Sequence, residues 1–329
     1  MGRPAAGAPA ARSRLLAWLA VLGLAGLAMA GQAQAAPFAY VPNEKSGNIS
    51  IIDTATDQVS GTLPGGIRPR GIAADPAGRQ LYVTDAKAGA LLVIDLATGR
   101  IERQLPLGDS PEGVYVSADG QRLAAAVEDN NSVVLLRPGQ ADGASVNVPV
   151  QGKNPEHAVF SPDGRWLYVS AEEAEQVDVI DVAAAKVVGS IAVGRRPRGI
   201  GFLPDGHRAY VACEMAGKVY AVDVDRRQVV AEIKIGQNPA GVAVSPDGKR
   251  VFVSNGKDGT VSVIDTASNA VLATLEVGKR PWNMALTPDG TKLYVANGRS
   301  NSVSVIDTGR LVKLQDISVG ELPWGVVIR

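Results

Sequence analysis

Hydrophobic positions along this chain fall in short runs that alternate with polar positions and stop at clusters of Gly, Pro, Asp and Asn. Residues 236–277 show the unit in full. Residues 240–244 form an apolar run, and Ser245-Pro246-Asp247-Gly248 is a tight turn in which Gly supplies a positive φ. In 250–255, Val251 and Val253 lie on the face opposite Phe252. Gly256-Lys257-Asp258-Gly259 turns the chain into 260–265, where Val261, Val263 and Asp265 share a face. Residues 266–270 turn it again into 271–277. A period of two broken by turn residues predicts four short antiparallel strands joined by hairpins. One such sheet cannot bury both of its faces alone, so it needs neighbours.

The neighbours are copies of itself. Gly-x-x-Pro, an apolar run, a turn, Leu-Tyr-Val and Val-x-Val-Ile-Asp recur with prolines at Pro69, Pro111, Pro155, Pro197, Pro239, Pro281 and Pro323. The steps are 42, 44, 42, 42, 42 and 42 residues. Short strands at this period are the mark of propeller blades. The expected fold is an all-β, seven-bladed β-propeller of four-stranded antiparallel blades. Residues 38–41 read as the second strand of a repeat and 323–328 as the first strand of one. The C-terminal strand is therefore expected to complete the N-terminal blade and remove an open edge.

The first 35 residues differ from the rest. Arg3, Arg12 and Arg14 precede an apolar run from Leu15 to Ala30, followed by Ala33-Gln34-Ala35. This is the pattern of a cleaved secretory signal peptide, which predicts export to the periplasm and a single propeller domain at 36–329. Removing 35 residues leaves 294, seven times 42. No second apolar stretch approaches membrane-spanning length, and no membrane association is expected after cleavage.

Charge changes the picture little. The chain has 33 Lys and Arg against 33 Asp and Glu, and no basic footprint for nucleic acid. The lone Cys213 excludes internal disulfides and reads as a small buried residue. Asp53, Asp95, Asp181, Asp223, Asp265 and Asp307 recur with the repeat, so they read as turn devices closing the third strand, not as catalytic acids.

Leu81-Tyr82-Val83-Thr84-Asp85, Phe252-Val253-Ser254-Asn255 and Leu293-Tyr294-Val295-Ala296-Asn297, with the Val-Ser-Val-Ile-Asp runs, resemble the YVTN-type β-propeller repeat over the whole of 36–329. Within that class the chain most resembles the propellers associated with catabolism dependent on pyrroloquinoline quinone. That resemblance implies a non-catalytic binding or scaffold role beside periplasmic alcohol oxidation. The implied partner is a quinoprotein dehydrogenase, a cytochrome, a transport-associated binding protein or a small ligand. No cofactor of the chain's own is expected, and the chain is expected to be a monomer.

Shared residues cannot encode a unique site, so function is sought where the repeats differ. The residue after each proline reads Arg70, Glu112, Glu156, Arg198, Ala240, Trp282 and Trp324, with His157 next to Glu156. These positions are expected to ring the channel mouth. Two uses are open: binding a planar or anionic ligand or a protein tip, or internal pairing of Arg with Glu and packing of tryptophan in the channel. The acidic turns Glu172-Glu173-Ala174-Glu175 and Glu128-Asp129-Asn130-Asn131 read as solvated loops on the same face.

Catalytic signals are weak. Only two histidines are present, and His157 and His207 belong to opposite expected faces, so no multi-His metal site is expected. No Cys-x-x-Cys-His occurs. The enzyme alternative is a lactonase or lyase with Glu112, Glu156 or His157 as base and Arg70 or Arg198 as oxyanion holder. The third repeat breaks the pattern, with Ala124 at the Tyr position, Arg137 at the Asp position and a longer hairpin expected at 137–143.

Overall fold

The computed structural model describes residues 1–3, 37–139 and 144–329. The expected leader, apart from its first three residues, and the tip of the long hairpin at 140–143 lie outside them. Among the described residues, 28 strands form seven four-stranded antiparallel sheets. Blades 2 to 7 each use four consecutive strands, opening with Pro69–Ala74, Pro111–Val116, Pro155–Phe160, Pro197–Phe202, Pro239–Val244 and Pro281–Leu286.

Blade 1 is composite. Val327–Ile328 pairs antiparallel with Phe38–Asn43, the order continuing through Asn48–Asp53 to Gln58–Pro64. Phe38 N–H donates to the Arg329 carbonyl at 2.7 Å, and Trp324 N–H to the Pro42 carbonyl at 3.0 Å. Glu44 N–H and Lys45 N–H reach the carbonyls of Leu322 and Glu321. The expected overlap closure is present, and side chains reinforce it from the last blade. Lys292 binds Asp57 at 2.7 Å, and the Tyr294 hydroxyl donates to the same carboxylate.

Burial follows from blade stacking. Leu81, Tyr82 and Val83 are all buried although they point to alternate faces, because each blade is covered on both sides by its neighbours. Outer strands such as Lys186–Ala192 instead alternate between exposed and half-buried positions, with Ile191 buried near the end. The repeated aromatic of the second strand (Tyr82, Tyr168, Tyr210, Tyr294, Phe252) is the largest buried group. Blade 3, with Ala124 there, has shorter strands at Leu123–Val127, Ser132–Leu136 and Val146–Pro149.

The recurrent aspartates cap turns as expected. Asp95 and Asp181 accept backbone N–H bonds from Thr98 and Ala184, and Asp265 and Asp307 do the same from Ser268 and Arg310. Cys213 is buried, and burial pushes its thiol up to about 12.

Near the axis the inner strands nearly touch. A Cβ on Gly199 would lie 2.3 Å from the Ala240 carbonyl oxygen, and one on Gly71 2.4 Å from that of Glu112. The glycine two residues after the proline is therefore what lets the ring close this tightly. His157 and Asn283 occupy this position in blades 4 and 7.

Candidate functional site: the channel mouth

The post-proline residues open the inner strands and converge at one end of the channel. Their charges are spent on one another. Arg70 of blade 2 pairs with Glu112 of blade 3 and reaches Glu44 of blade 1 at 3.2 Å; Arg68 joins Glu44 at 2.6 Å. Across the mouth, Arg198 contacts Glu156 at 2.7 Å, Glu214 at 3.5 Å and also Glu172. Arg196 bridges Glu172 and Glu214 at 2.9 and 3.1 Å. Arg280 comes from the far side of blade 6 to bind Glu214 at 2.9 Å.

Two networks thus staple blades 1 to 3 and blades 4 to 7. The first holds two arginines and two glutamates, the second three of each, so both are neutral. Buried partners shift one another. Burial works against the Arg198 guanidinium, but Glu156, Glu172 and Glu214 outweigh it and raise its pKa. Glu214 is held below the usual carboxylate range, its burial overcome chiefly by Arg198 and by a hydrogen bond from Asn238. At Glu172 burial dominates and raises the pKa. The expectation that 172–175 is a solvated loop is corrected at its first residue: Glu172 is 8% exposed, whereas Glu173 and Glu175 are exposed.

The partners missed at the level of sequence stand at two further repeat positions. One follows the second strand and reads Glu44, Ala86, Glu128, Glu172, Glu214, Gly256 and Gly298; the other precedes each proline. A backbone bond joins the two, as from Glu172 N–H to the Asn154 carbonyl at 3.1 Å. The two glycines make room. A Cβ on Gly256 would lie 3.1 Å from an Arg280 nitrogen, and one on Gly298 2.8 Å from the Trp282 ring. Trp282 is therefore laid against blade 7, with its indole N–H buried and unpartnered.

Below the rim, His157 of blade 4 and Trp324 of blade 1 meet across the axis, with ring centroids 5.8 Å apart. Tyr115 of blade 3 completes the plug, its hydroxyl 2.5 Å from His157 Nδ1. Burial, with Arg198 nearby, lowers the His157 pKa to about 3; burial and then Glu156 raise that of Tyr115. A neutral imidazole accepts a hydrogen bond from the phenolic O–H at Nδ1. Tyr115 is marked by departing from Ala73, Val159, Gly201, Ala243 and Ala285 at the same repeat position. Among the described residues no three His, Cys, Asp or Glu side chains are placed to hold a metal ion.

Comparison with known proteins bears on fold and family. Residues 183–326 match the family model described as "Lactonase, 7-bladed beta-propeller", and residues 20–122 match that of the "YNCE-like beta-propeller". No curated protein matches the sequence. Among solved structures, Kuenenia stuttgartiensis hydrazine synthase superposes with a TM-score of 0.75 at 23% identity, covering 82% of this chain and 92% of that one. A functionally unknown protein from Desulfotomaculum acetoxidans DSM 771 gives 0.77 at 19% identity, over 88% and 98%. The dihydro-heme d1 dehydrogenase NirN in complex with DHE gives 0.67 at 17%, over 90% and 76%. At such identities these likenesses establish the propeller architecture. The chain is lactonase-like and YNCE-like over the matched segments.

Proposed function

We propose that this chain is a non-catalytic binding propeller that offers its mouth face to a protein. The observation that carries the reading is the closed mouth: rim charges neutralise one another and the Tyr115–His157–Trp324 plug fills the axis beneath them. A rigid, filled rim suits docking better than enclosure of a substrate. Ile67 and Met215 stand 66% and 53% exposed on this face, and Asp109, Asp129, Glu173 and Glu175 are exposed over blades 3 and 4. The exposed carboxylates over blades 3 and 4 favour a partner with a basic surface there. The resemblance to propellers of quinone-dependent catabolism makes that partner a periplasmic quinoprotein dehydrogenase, cytochrome or transport-associated binding protein.

Immobilised protein is expected to retain from periplasmic extract a component identified by haem or quinone absorption. The variant Asp129→Lys/Glu173→Lys is expected to release it at low salt. Equal capture by that variant, or no chromophoric protein retained at any ionic strength, overturns the reading.

The match of 183–326 to a lactonase model supports a second reading, hydrolysis at the same mouth. In that case purified protein turns over members of a lactone panel and Glu156→Gln abolishes it. A panel without turnover discards the enzyme.

A further inference from the structure

The repeat supplies its own controls for the surface between blades. On the mouth face, each interblade cleft is bordered by the same four repeat positions. They are the two residues before the later blade's proline, and the second residue after the second strand of each blade. Between blades 3 and 4 these are Asp129, Lys153, Asn154 and Glu173; between blades 5 and 6 they are Met215, Gln237, Asn238 and Lys257. Between blades 6 and 7 all four are basic: Lys257, Lys279, Arg280 and Arg299. They line a cleft of about 690 Å³, large enough for a small organic molecule.

Charge pairing separates this cleft from its nearest counterpart. Between blades 1 and 2 the positions read Lys45, Ile67, Arg68 and Lys87, but Lys45 is paired with Glu321 at 2.7 Å and Arg68 with Glu44 at 2.6 Å. In the cleft of blades 6 and 7 only Arg280 is committed, to Glu214. Lys257, Lys279 and Arg299 are exposed and, among the described residues, make no ion pair. Two acids also border the space. Asp258 already accepts the Gln237 backbone N–H at 2.7 Å, and Glu276 is exposed at the end of the outer strand. Gly256, Gly259 and Gly278 leave the backbone lining bare of side chains.

We propose that this cleft binds a small organic anion bearing two or more carboxylate or phosphate groups, gripped by Lys257, Lys279 and Arg299. Three exposed cations against two bordering carboxylates leave the hollow net positive, and a multiply charged anion that spans the cations gains a charge-assisted hydrogen bond from each. A monoanion satisfies only one of them. The site shares no residue with the docking variants at Asp129 and Glu173, so either proposal can fail alone.

The test is calorimetric titration of the full propeller at low ionic strength with citrate and, separately, pyrophosphate, using acetate as the monoanion. Saturable binding of one or both polyanions, with acetate silent, is expected; which of them binds tells carboxylate from phosphate chemistry. Lys279→Ala/Arg299→Ala is expected to bind at least about tenfold more weakly, the loss that follows from about 1.4 kcal/mol. Lys45→Ala/Lys87→Ala is expected to leave affinity unchanged, and unaltered melting temperatures show that both variants fold. No saturable binding of either probe, or equal weakening by the two double variants, overturns the proposal.

Discussion

Arg198 carries more of the mouth than any other side chain, because it faces three glutamates from blades 4 and 5 in a buried setting. Removing one partner of such a network strands the others without compensation. Arg198→Met is expected to lower stability by about 3–5 kcal/mol, read from urea unfolding; a loss below about 1 kcal/mol would show the glutamates to be hydrated instead. His157 makes a second residue-scale prediction. Its folded pKa of about 3 lies below the ordinary 6.5, so the unfolded chain takes up a proton that the folded chain refuses. Its contribution to stability is therefore full above pH 6.5 and falls as pH drops from there towards 3. In NMR, His207 is expected to titrate above the ordinary value, raised by its hydrogen bond to Asp225, while His157 stays neutral down to pH 4. Two imidazoles titrating near neutrality would refute the plug.

Within a blade, the inner strand is where sequence meets the tightest steric limit. Gly199 packs against the next inner strand so closely that any Cβ strikes a carbonyl oxygen. Overpacking of this kind costs about 1–3 kcal/mol, and Gly199→Ala is expected to lose that much in a denaturation series. Gly61→Ala is the control, since its added Cβ meets only an Ile51 methyl at 3.7 Å. Comparable losses at both sites would mean that strand propensity, not axial crowding, sets the effect. The glycine rule also locates the plug. Where the repeat substitutes His157 for glycine, the ring lies beside Gly113 and Tyr115 of blade 3 and meets Trp324 across the axis.

At the scale of the whole ring, closure depends on a short stretch at the C-terminus. Truncation after Leu322 removes the strand that pairs with Phe38–Asn43 and takes Trp324 from the channel. The exposed edge is expected to drive self-association, read by light scattering, together with a fall in melting temperature. A truncated chain that stays monomeric with an unchanged melt would show the overlap to be dispensable. Acid should loosen the ring from its other face. Asp119, Asp163, Asp247 and Asp289 are held below the usual range chiefly by hydroxyls of Ser117, Ser161, Ser245 and Thr287. With folded values depressed, their contribution is complete above the unfolded pKa of about 3.9 and is lost as pH falls through the folded values. The urea midpoint is expected to drop as pH falls below about 4, and a flat profile there would contradict this.

Blade number, strand order, turn chemistry and overlap closure are all determined by the sequence alone, because each depends on contacts within one repeat or between adjacent ones. Ser245-Pro246-Asp247-Gly248 makes its turn wherever it sits, and a period of 42 residues, broken once by a step of 44, leaves the ends only one way to pair. The candidate mouth was legible as a set of positions, Arg70 to Trp324, but not as a state. Whether those charges met ligands or each other turned on Glu44, Glu172 and Glu214, whose repeat position reads as ordinary loop. Arg280 reaches Glu214 over 66 residues of chain, and His157 meets Trp324 from the opposite side of the ring. Only closure of the propeller brings such groups together, since side chains interact over a few ångströms and the period records nothing of what faces what across an axis.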